Sequence, residues 1–515
     1  MSYGKTAKGL YTKCEVDRTP VLERARQAAR LTLPTLIPDE GAGESTRFVT
    51  PYQSVGSRGV NSLANALLTS LLPPNAPFFR LLLDSKAKRE IQGMAQVESE
   101  IDQSLADIER EVMREVESNN FRVSLFEALK HLIVAGNVLV HIPEEGGMRV
   151  FHLSRYIVKR DPMGNVDKIV TKETMSLNHV PEEILASLEG EDSEKDSVDL
   201  YTCVSSINDT TYEVFQEING IRLEDSYGTY AKDKLPYMAL GLNHVDGHDY
   251  ARGFVEQYQG DLESLEGLST AIVQGAAASA KVLFMVAPNG TTRKRTLSKS
   301  ENGAIVEGNA GDVTTLQVQK HADFRVALET INQIVERLNY AFMLTEGAIR
   351  KAERVTAEEV RLVTQSLERQ LGGVYSSLSQ EFQLPLVRIL MQRMEKGKRL
   401  PKLPKDLVTP VVVTGIDALG RGQDLNKLDS FVAGIAQVLG PEALGQYVNV
   451  SEYLERRASA LGIETEGLVR SQEEIQAEMQ QAQQMQMAQQ LGPEAMRSMT
   501  SANNTQAQIE AQEGA

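Results

Sequence analysis

An α+β fold, predominantly helical, is what this sequence predicts, and three observations predict it. Aromatic residues make up only 5% of the chain and Trp is absent, so the core must be built from aliphatic side chains, which suits helices. Apolar residues recur at spacings of three and four over several long stretches, the period of a helix face. From Asn137 onward that period gives way to short β-branched runs separated by turn residues, the pattern of a small antiparallel sheet. The 515 residues are 41% hydrophobic and 24% charged, an ordinary globular balance. Their number sets a prior of about three domains.

The N-terminal stretch reads as helices punctuated by Pro34, Pro38 and Pro51. Ser57 to Leu72 is rich in Ala and Leu and stops at Pro73-Pro74, where a helix should end. Residues 94–118 form an amphipathic helix with Val97, Ile101, Leu105, Ile108 and Val112 on one face and mostly acidic residues on the other. A second helix, Val123 to Ala135, follows Asn119-Asn120. Then come the strand-like runs VLVHI, MRVFHL, RYIVKRD and KIVTKETM, separated by the turns PEEGG and DPMGN. A short acidic helix, Glu182 to Leu188, interrupts the sheet before strands at Asp199–Ser205 and Thr211–Glu217.

The section from Gly260 to Leu344 carries the most information. One helix opens at Gly260-Asp261, steps through Leu265, Leu268, Ile272, Gly275 and Ser279, and ends in the small-residue run GAAASA. A second runs from Asp323 to Leu344 with Phe324, Leu328, Ile331, Val335, Leu338 and Phe342 at alternating spacings of four and three, a heptad-like seam. An ordinary core helix and a helix packed against equivalent helices of other subunits both fit this seam. Between them, residues 281–322 form a β-type module with strands at VLFMV, AIVEG and TTLQVQ. Its first loop, TTRKRTLSK, holds Arg293, Lys294, Arg295 and Lys299 with no acid between Lys281 and Ser300. A solvated loop and a phosphate-facing or partner-facing patch both fit that charge run.

TEGAIRKAERV, residues 345–355, is a polar break with Arg350, Lys351 and Arg354. Thr356 at the N-cap and Glu359 three residues later then open a long helix reaching about Lys396. Gly372-Gly373 and Pro385 should bend or break it. Residues 400–414 are Pro-rich and extended, and helices follow from Ile416. The stretch 471–490 contains nine Gln and three Met, so the tail reads as a fraying helix followed by disorder.

Catalytic signatures are missing from the sequence. It contains no phosphate-cradling GxxxxGK[ST], no GxSxG elbow, no HExxH and no EF-hand loop. The one close histidine pair, His244 and His248, lies in NHVDGHDY, where Gly247 and the neighbouring Asp residues favour a loop, so the preformed i, i+4 geometry of a helical metal site is absent. No cofactor and no metal are expected, and the chain reads as a protein that is not an enzyme. Cys14 and Cys203 belong to no CxxC pair, so neither a disulfide framework nor a zinc site is expected. The first residues lack an apolar core, so no signal peptide is expected, and Leu63 to Leu83 is broken by Pro73, Pro74, Pro77 and Arg80, so no membrane span is expected either.

The net charge of −16 speaks against global attraction for nucleic acid. It fits a soluble, self-repelling protein, and it equally fits a surface that DNA slides past without sticking.

Four stretches carry a family likeness: RFVTPYQSVGSRGVNSLANALL (47–68), SNNFRVSLFEALKHLIVAGNVLVHIPE (118–144), GDLESLEGLSTAIVQ (260–274) and RVTAEEVRLVTQSLERQLGGVYSSLSQEFQLPLVRIL (354–390). In this order they resemble the portal, or head-to-tail connector, proteins of short-tailed double-stranded DNA phages, over about Tyr11 to residue 430. The resemblance implies a phage portal fold assembled as a ring, usually of twelve subunits, at one capsid vertex. It implies a wing over 1–259, stem helices at 260–281 and 323–344, and a clip at 282–322. A channel loop at 345–355, a long wing helix at 356–400, a crown at 401–470 and the Gln/Met-rich tail at 471–515 complete the plan.

The same resemblance implies partners: other copies of the chain, the major capsid protein and scaffold, a terminase motor, a tail adaptor, and double-stranded DNA without sequence specificity. It implies location in the virion at the portal vertex, after assembly in the host cytoplasm. On this reading Arg350, Lys351 and Arg354 meet DNA phosphates, and Arg293, Lys294, Arg295 and Lys299 face the clip's partners. A scaffold or internal core protein of the phage head is the alternative. The missing Trp and the unmatched Gln/Met-rich tail are departures from the pattern.

Overall fold

The computed structural model describes residues 6–39, 41–43, 45–74, 77–83, 89, 95–180, 197–279, 283–301, 303–316, 321–344, 373–401, 408–412, 429–437 and 453–454. The chain divides into a unit of residues 1–418 and a unit of residues 419–515. The expected helix Glu182 to Leu188, the segment 345–355 with the start of the helix after it, and all of the tail 471–515 lie outside the described residues.

Helix α1 (Ala7–Arg30) is capped twice. Thr6 accepts the Gly9 N–H at 3.1 Å, and the buried carboxylate of Glu217 accepts the Ala7 and Lys8 N–H groups at 2.8 and 3.1 Å. The helix runs through Pro20, whose lost hydrogen bond frees the carbonyl of Val16 on the solvent side, where Val16 is exposed. Helix α2 (Val55–Leu71) stops just before Pro73-Pro74, as expected. Strand β1 (Phe79–Leu83), α3 (Ala95–Ser118) and α4 (Phe121–Ala135) follow. Leu105, Ile108 and Val112 of the expected face on α3 are buried, and α4 is buried along most of its second half. Gly136 ends α4 at φ +75°, and a Cβ there would lie 2.3 Å from the Arg252 backbone, so both its conformation and its surroundings exclude other residues.

The strands form separate small sheets. β2 (Asn137–His141) lies between β3 (Arg149–Phe151) and β10 (Tyr237–Gly241). The larger sheet follows the order β4 (Tyr156–Arg160), β5 (Val166–Ser176), β6 (Ser197–Asn208), β7 (Thr211–Ile218) and β8 (Ile221–Arg222), with β9 (Gly228–Ala231) also on β7. Helix α1 lies against this sheet through Tyr11, Cys14, Tyr201, Cys203 and Phe215. Both cysteines are buried free thiols, and burial pushes the Cys203 thiol up to about 12. Arg18 is almost fully buried there. It donates to the Tyr11 hydroxyl and the Ser154 carbonyl at 2.8 Å and to the Tyr156 carbonyl at 3.0 Å, while Glu15 accepts at 2.8 Å.

Most of the first unit's apolar core is one continuous cluster drawn from α2, α3, α4, the small sheets and the late helices. Those late helices are α5 (Gln259–Ser279), α7 (His321–Ala341), α8 (Gly373–Leu378) and α9 (Leu384–Lys396). Between α5 and α7 lie β11 (Leu283–Val286), α6 (Lys294–Lys299) and β12 (Val313–Leu316). Pro385 was expected to bend or break the long helix. Just before it a π-helical turn over Ser379–Gln383 interrupts the α-helix, joins α8 to α9 and places Pro385 within the first turn of α9, where its missing N–H is tolerated. The buried Gln383 side chain donates to the Leu71 carbonyl at 2.6 Å and so caps the end of α2. Arg393 and Arg399 close on the buried Glu115 carboxylate at 3.1 and 2.6 Å; the hydrogen bond from Arg399 holds that carboxyl below its ordinary range.

Strand β13 (Val408–Val412) pairs with β1, antiparallel, across more than 300 residues of chain, with Leu81 opposite Pro410. The Leu81 N–H points away from β13 and is taken by the Glu109 carboxylate at 2.7 Å. Leu81 and Pro410 are therefore a non-hydrogen-bonded pair, and the proline removes no ladder bond. In the second unit, residues 429–437 are helical, and Tyr453 donates to Asp429 at 2.6 Å.

Candidate functional site

Helices α5 and α7 form an antiparallel hairpin. Near its far end the Phe324 ring of α7 lies over Gly275 of α5, where a Cβ would come within 2.6 Å of the ring. Near its base Arg337 of α7 pairs with Asp261 of α5 at 2.7 Å. The close approach explains the small residues at the end of α5: a larger side chain at 275 would push the helices apart.

The base of the hairpin is locked into the body. Leu262, Leu265, Ile334, Leu338 and Phe342 are all buried. Phe342 packs edge-on against Phe254 with ring centres 5.6 Å apart, and Tyr258 lies 5.8 Å away. Gly59 of α2 receives the same ring; a Cβ there would sit 2.6 Å from it. Glu266 accepts the backbone N–H groups of Tyr52 and Gln53 at 2.9 and 3.1 Å, tying the preceding loop to α5. None of these fastenings was foreseen. Gly59 and Glu266 do lie inside two of the stretches that carry the family likeness.

The outer half of the hairpin differs. Leu328, one of the expected seam residues, is 53% exposed, Val326 is 65% exposed and Val273 is 52% exposed. The seam is a core face only from Ile331 inward.

The tip between the helices is part sheet and part helix. β11 and β12 pair antiparallel, Leu283 opposite Leu316 and Val286 opposite Val313. Two expectations are corrected here. AIVEG is irregular and not a strand, since residues 304–307 make no ladder. TTRKRTLSK is not a plain loop, since Lys294–Lys299 forms helix α6. Asp312 organises the tip. It accepts from the Thr292 N–H and hydroxyl at 3.1 and 3.2 Å and from the Thr291 hydroxyl at 3.2 Å, and these donors, the Thr292 N–H first, hold its carboxyl below the ordinary range. The chain is thereby fixed just before Arg293, which starts α6. Arg293, Lys294, Arg295 and Lys299 are all exposed. Arg293, Arg295 and Lys299 line an open groove of about 460 Å³ with Thr296 and Ser300. The structure thus brings three of the four predicted tip cations together. Arg350, Lys351 and Arg354 lie outside the described residues.

His244 meets Glu381 of the π-helical turn at 3.2 Å. Among the described residues no group of three or more His, Cys, Asp or Glu side chains is placed to hold a metal ion, and no helix is long and apolar enough to cross a membrane.

The described residues thus form a two-helix hairpin with a basic tip, rooted in an α+β body. Residues 4–469 match the family of bacteriophage head to tail connecting proteins. The chain belongs to this family. It is 40% identical over 499 residues to the portal protein of Escherichia phage T7, covering 95% of this chain and 92% of that protein. It is 41% identical over 483 residues to the portal protein of Enterobacteria phage T3, covering 92% and 90%. The portal protein of Pseudomonas phage phiKMV is 31% identical over 500 residues, covering 94% and 96%. The neck of an empty gene transfer agent particle superposes with a TM-score of 0.37 at 11% identity, covering 80% of this chain and 90% of that one, too loosely to carry an argument. As a connector, the chain is a structural portal element at the vertex where phage head and tail meet.

Proposed function

We propose that copies of this chain close into a ring, usually of twelve, whose bore admits double-stranded DNA during packaging and releases it at ejection. The observation that carries this reading is the outer half of the hairpin. Val273, Val326 and Leu328 stand in solvent on helices whose bases are firmly rooted. Apolar side chains displayed along a rigid projection are covered when equivalent projections stand side by side. The α5–α7 hairpin is then the stem, residues 282–322 the clip, 345–355 the channel loop, 1–259 the wing together with the long helix 356–400, and 401–470 the crown.

The ring is a passive conduit with no catalytic chemistry of its own. It nucleates the procapsid with the major capsid protein and scaffold in the host cytoplasm, lets a separate terminase motor drive the genome in, and then carries the tail adaptor. Its acidity suits that work. Each copy contributes −16, and a bore of that sign repels phosphate and keeps DNA sliding. Many phosphate contacts would instead hold DNA through a large, salt-dependent attraction. Arg350, Lys351 and Arg354 supply a local grip on the backbone without reading sequence. The clip cations Arg293, Lys294, Arg295 and Lys299 face the docking proteins.

End-on electron micrographs of the purified protein test the reading: closed rings with an open channel are expected, and solid or helical assemblies overturn it. Reversing the charge of Arg350, Lys351 and Arg354 in assembled rings should change packaged DNA length or genome retention. Unchanged length and retention would sink that assignment.

A further inference from the structure

The tip carries both signs of charge, and among the described residues no ion pair joins them within one chain. Arg295 and Lys299 stand four residues apart on α6, hence on one face, and with Arg293 they line the open groove. Glu307 is exposed on the irregular segment 303–309, and no ion pair joins it to these cations among the described residues. Ile305, two residues earlier, is fully exposed, which is unusual for so large an apolar side chain on a fixed scaffold.

The segment is held at both ends. The Asn309 N–H donates to the Thr292 hydroxyl oxygen at 2.9 Å, and that hydroxyl is 3.2 Å from the Asn309 carbonyl oxygen. A Cβ at Gly308 would strike the same hydroxyl at 2.5 Å. At the other end the Ala304 N–H closes a turn onto the Glu301 carbonyl at 3.1 Å. The chain therefore presents an apolar side chain and a carboxylate from a fixed loop, and separately a cationic groove, with none of its described residues joining them.

We propose that segment 303–309 of one copy seats in the α6 groove of the next copy around the ring. Glu307 pairs with Arg295 and Lys299 of its neighbour. Ile305 lies along the methylene stems of those long side chains and against the half-buried Leu297. The choice of occupant follows from symmetry. A head-to-tail contact that closes into a ring needs two different, mutually complementary patches on every subunit. The tip supplies such a pair, of opposite sign, inside one short module. A DNA phosphate or an acidic foreign protein would engage the groove but leave Ile305 and Glu307 without a role. This contact takes Arg295 and Lys299 out of the set of cations that faces the docking proteins and leaves Lys294, which alone among the four does not line the groove.

The proposal rests on the ring reading and adds a specific contact to it. The test uses the full-length chain with Glu307→Arg, Arg295→Glu and the two combined, followed by mass photometry over a range of protein and salt concentrations. Each single reversal places like charges together and should raise the concentration needed for half-assembly roughly tenfold at low salt, and the double reversal should restore it. Ile305→Ser should weaken assembly without changing its salt dependence. Lys299→Glu with Glu307→Lys provides a second exchange at exposed positions. Single reversals that assemble like the parent, a double reversal that fails to recover, or intact rings that lose only motor or adaptor binding would each overturn the contact. A parent chain that never closes into rings overturns the ring reading itself, and this contact with it.

Discussion

The two ends of the helical hairpin obey opposite rules. At its base every large apolar side chain facing inward finds a partner in the same chain: Phe342 fills the space left by Gly59 and meets Phe254 and Tyr258, while Leu262, Leu265 and Leu338 are fully covered. In the outer half the same two helices hold Val273, Val326 and Leu328 in water. One end answers to the stability of the single chain, and on the proposed ring the other answers to its neighbours. On that reading the difference separates two kinds of damage: loss at the base should destabilise the subunit, and loss further out should leave a sound subunit that assembles poorly.

Phe342→Ala should break the base most severely. It removes a fully buried ring and leaves a cavity, with an expected loss of about 3–5 kcal/mol, visible as a lowered melting temperature of the unassembled chain. Arg18→Met should follow at about 3 kcal/mol, because the Ser154 and Tyr156 carbonyls and Glu15 lose a charged donor in a buried setting. Hydrogen exchange should show α1 loosening from the larger sheet while α5 and α7 keep their protection.

Acid should act on the body next. Burial lowers His131 to about 3, and burial also lowers His141 and His152 to about 4. The unfolded chain therefore binds more protons than the folded one as pH falls below about 6.5. Stability is complete above that value and declines below it, by about 1.4 kcal/mol per pH unit for His131 alone. Denaturant titrations from pH 7 to 5 should show the decline, and His131→Phe should flatten it. The smallest effect on the subunit belongs to Leu328→Ser, about 0.5 kcal/mol or less, since the side chain is already in solvent. Its assembly should nevertheless weaken clearly in sedimentation. A large loss of subunit stability at Leu328 would erase the distinction between the two halves.

The local pattern of the fold was readable in the residues. The three-and-four spacing of Leu105, Ile108 and Val112 and the stop at Pro73-Pro74 became the elements they announced, and the β-branched runs from Asn137 became strands, though of two sheets and not of one. What escaped reading was pairing at a distance. Nothing in Phe79–Leu83 reveals a partner at Val408–Val412, and Tyr237–Gly241 does not announce β2, because strand partners are chosen by the assembled core and not by neighbours in sequence. α6 was missed because it is one short, uncapped turn in a basic run, carried by the Asp312–Thr292 fastening. The hairpin seam was legible as a seam, but its periodicity is the same whether a partner is in the chain or outside it. Only the exposure of Leu328 separates the two. Of the predicted site residues, three of the tip cations converge on one groove.

The β1–β13 pair has a bearing on how such an assembly ends. An open strand edge is an invitation to any similar strand, and particles built from many identical chains multiply that invitation. Here one side of the pair is occupied by the Glu109 carboxylate, and at the midpoint of the other Pro410 has no N–H to offer. Each margin of the two-stranded ribbon thus lacks a free donor at its midpoint. Growth by edge-to-edge stitching, which has no natural last member and runs on into fibres, is disfavoured there.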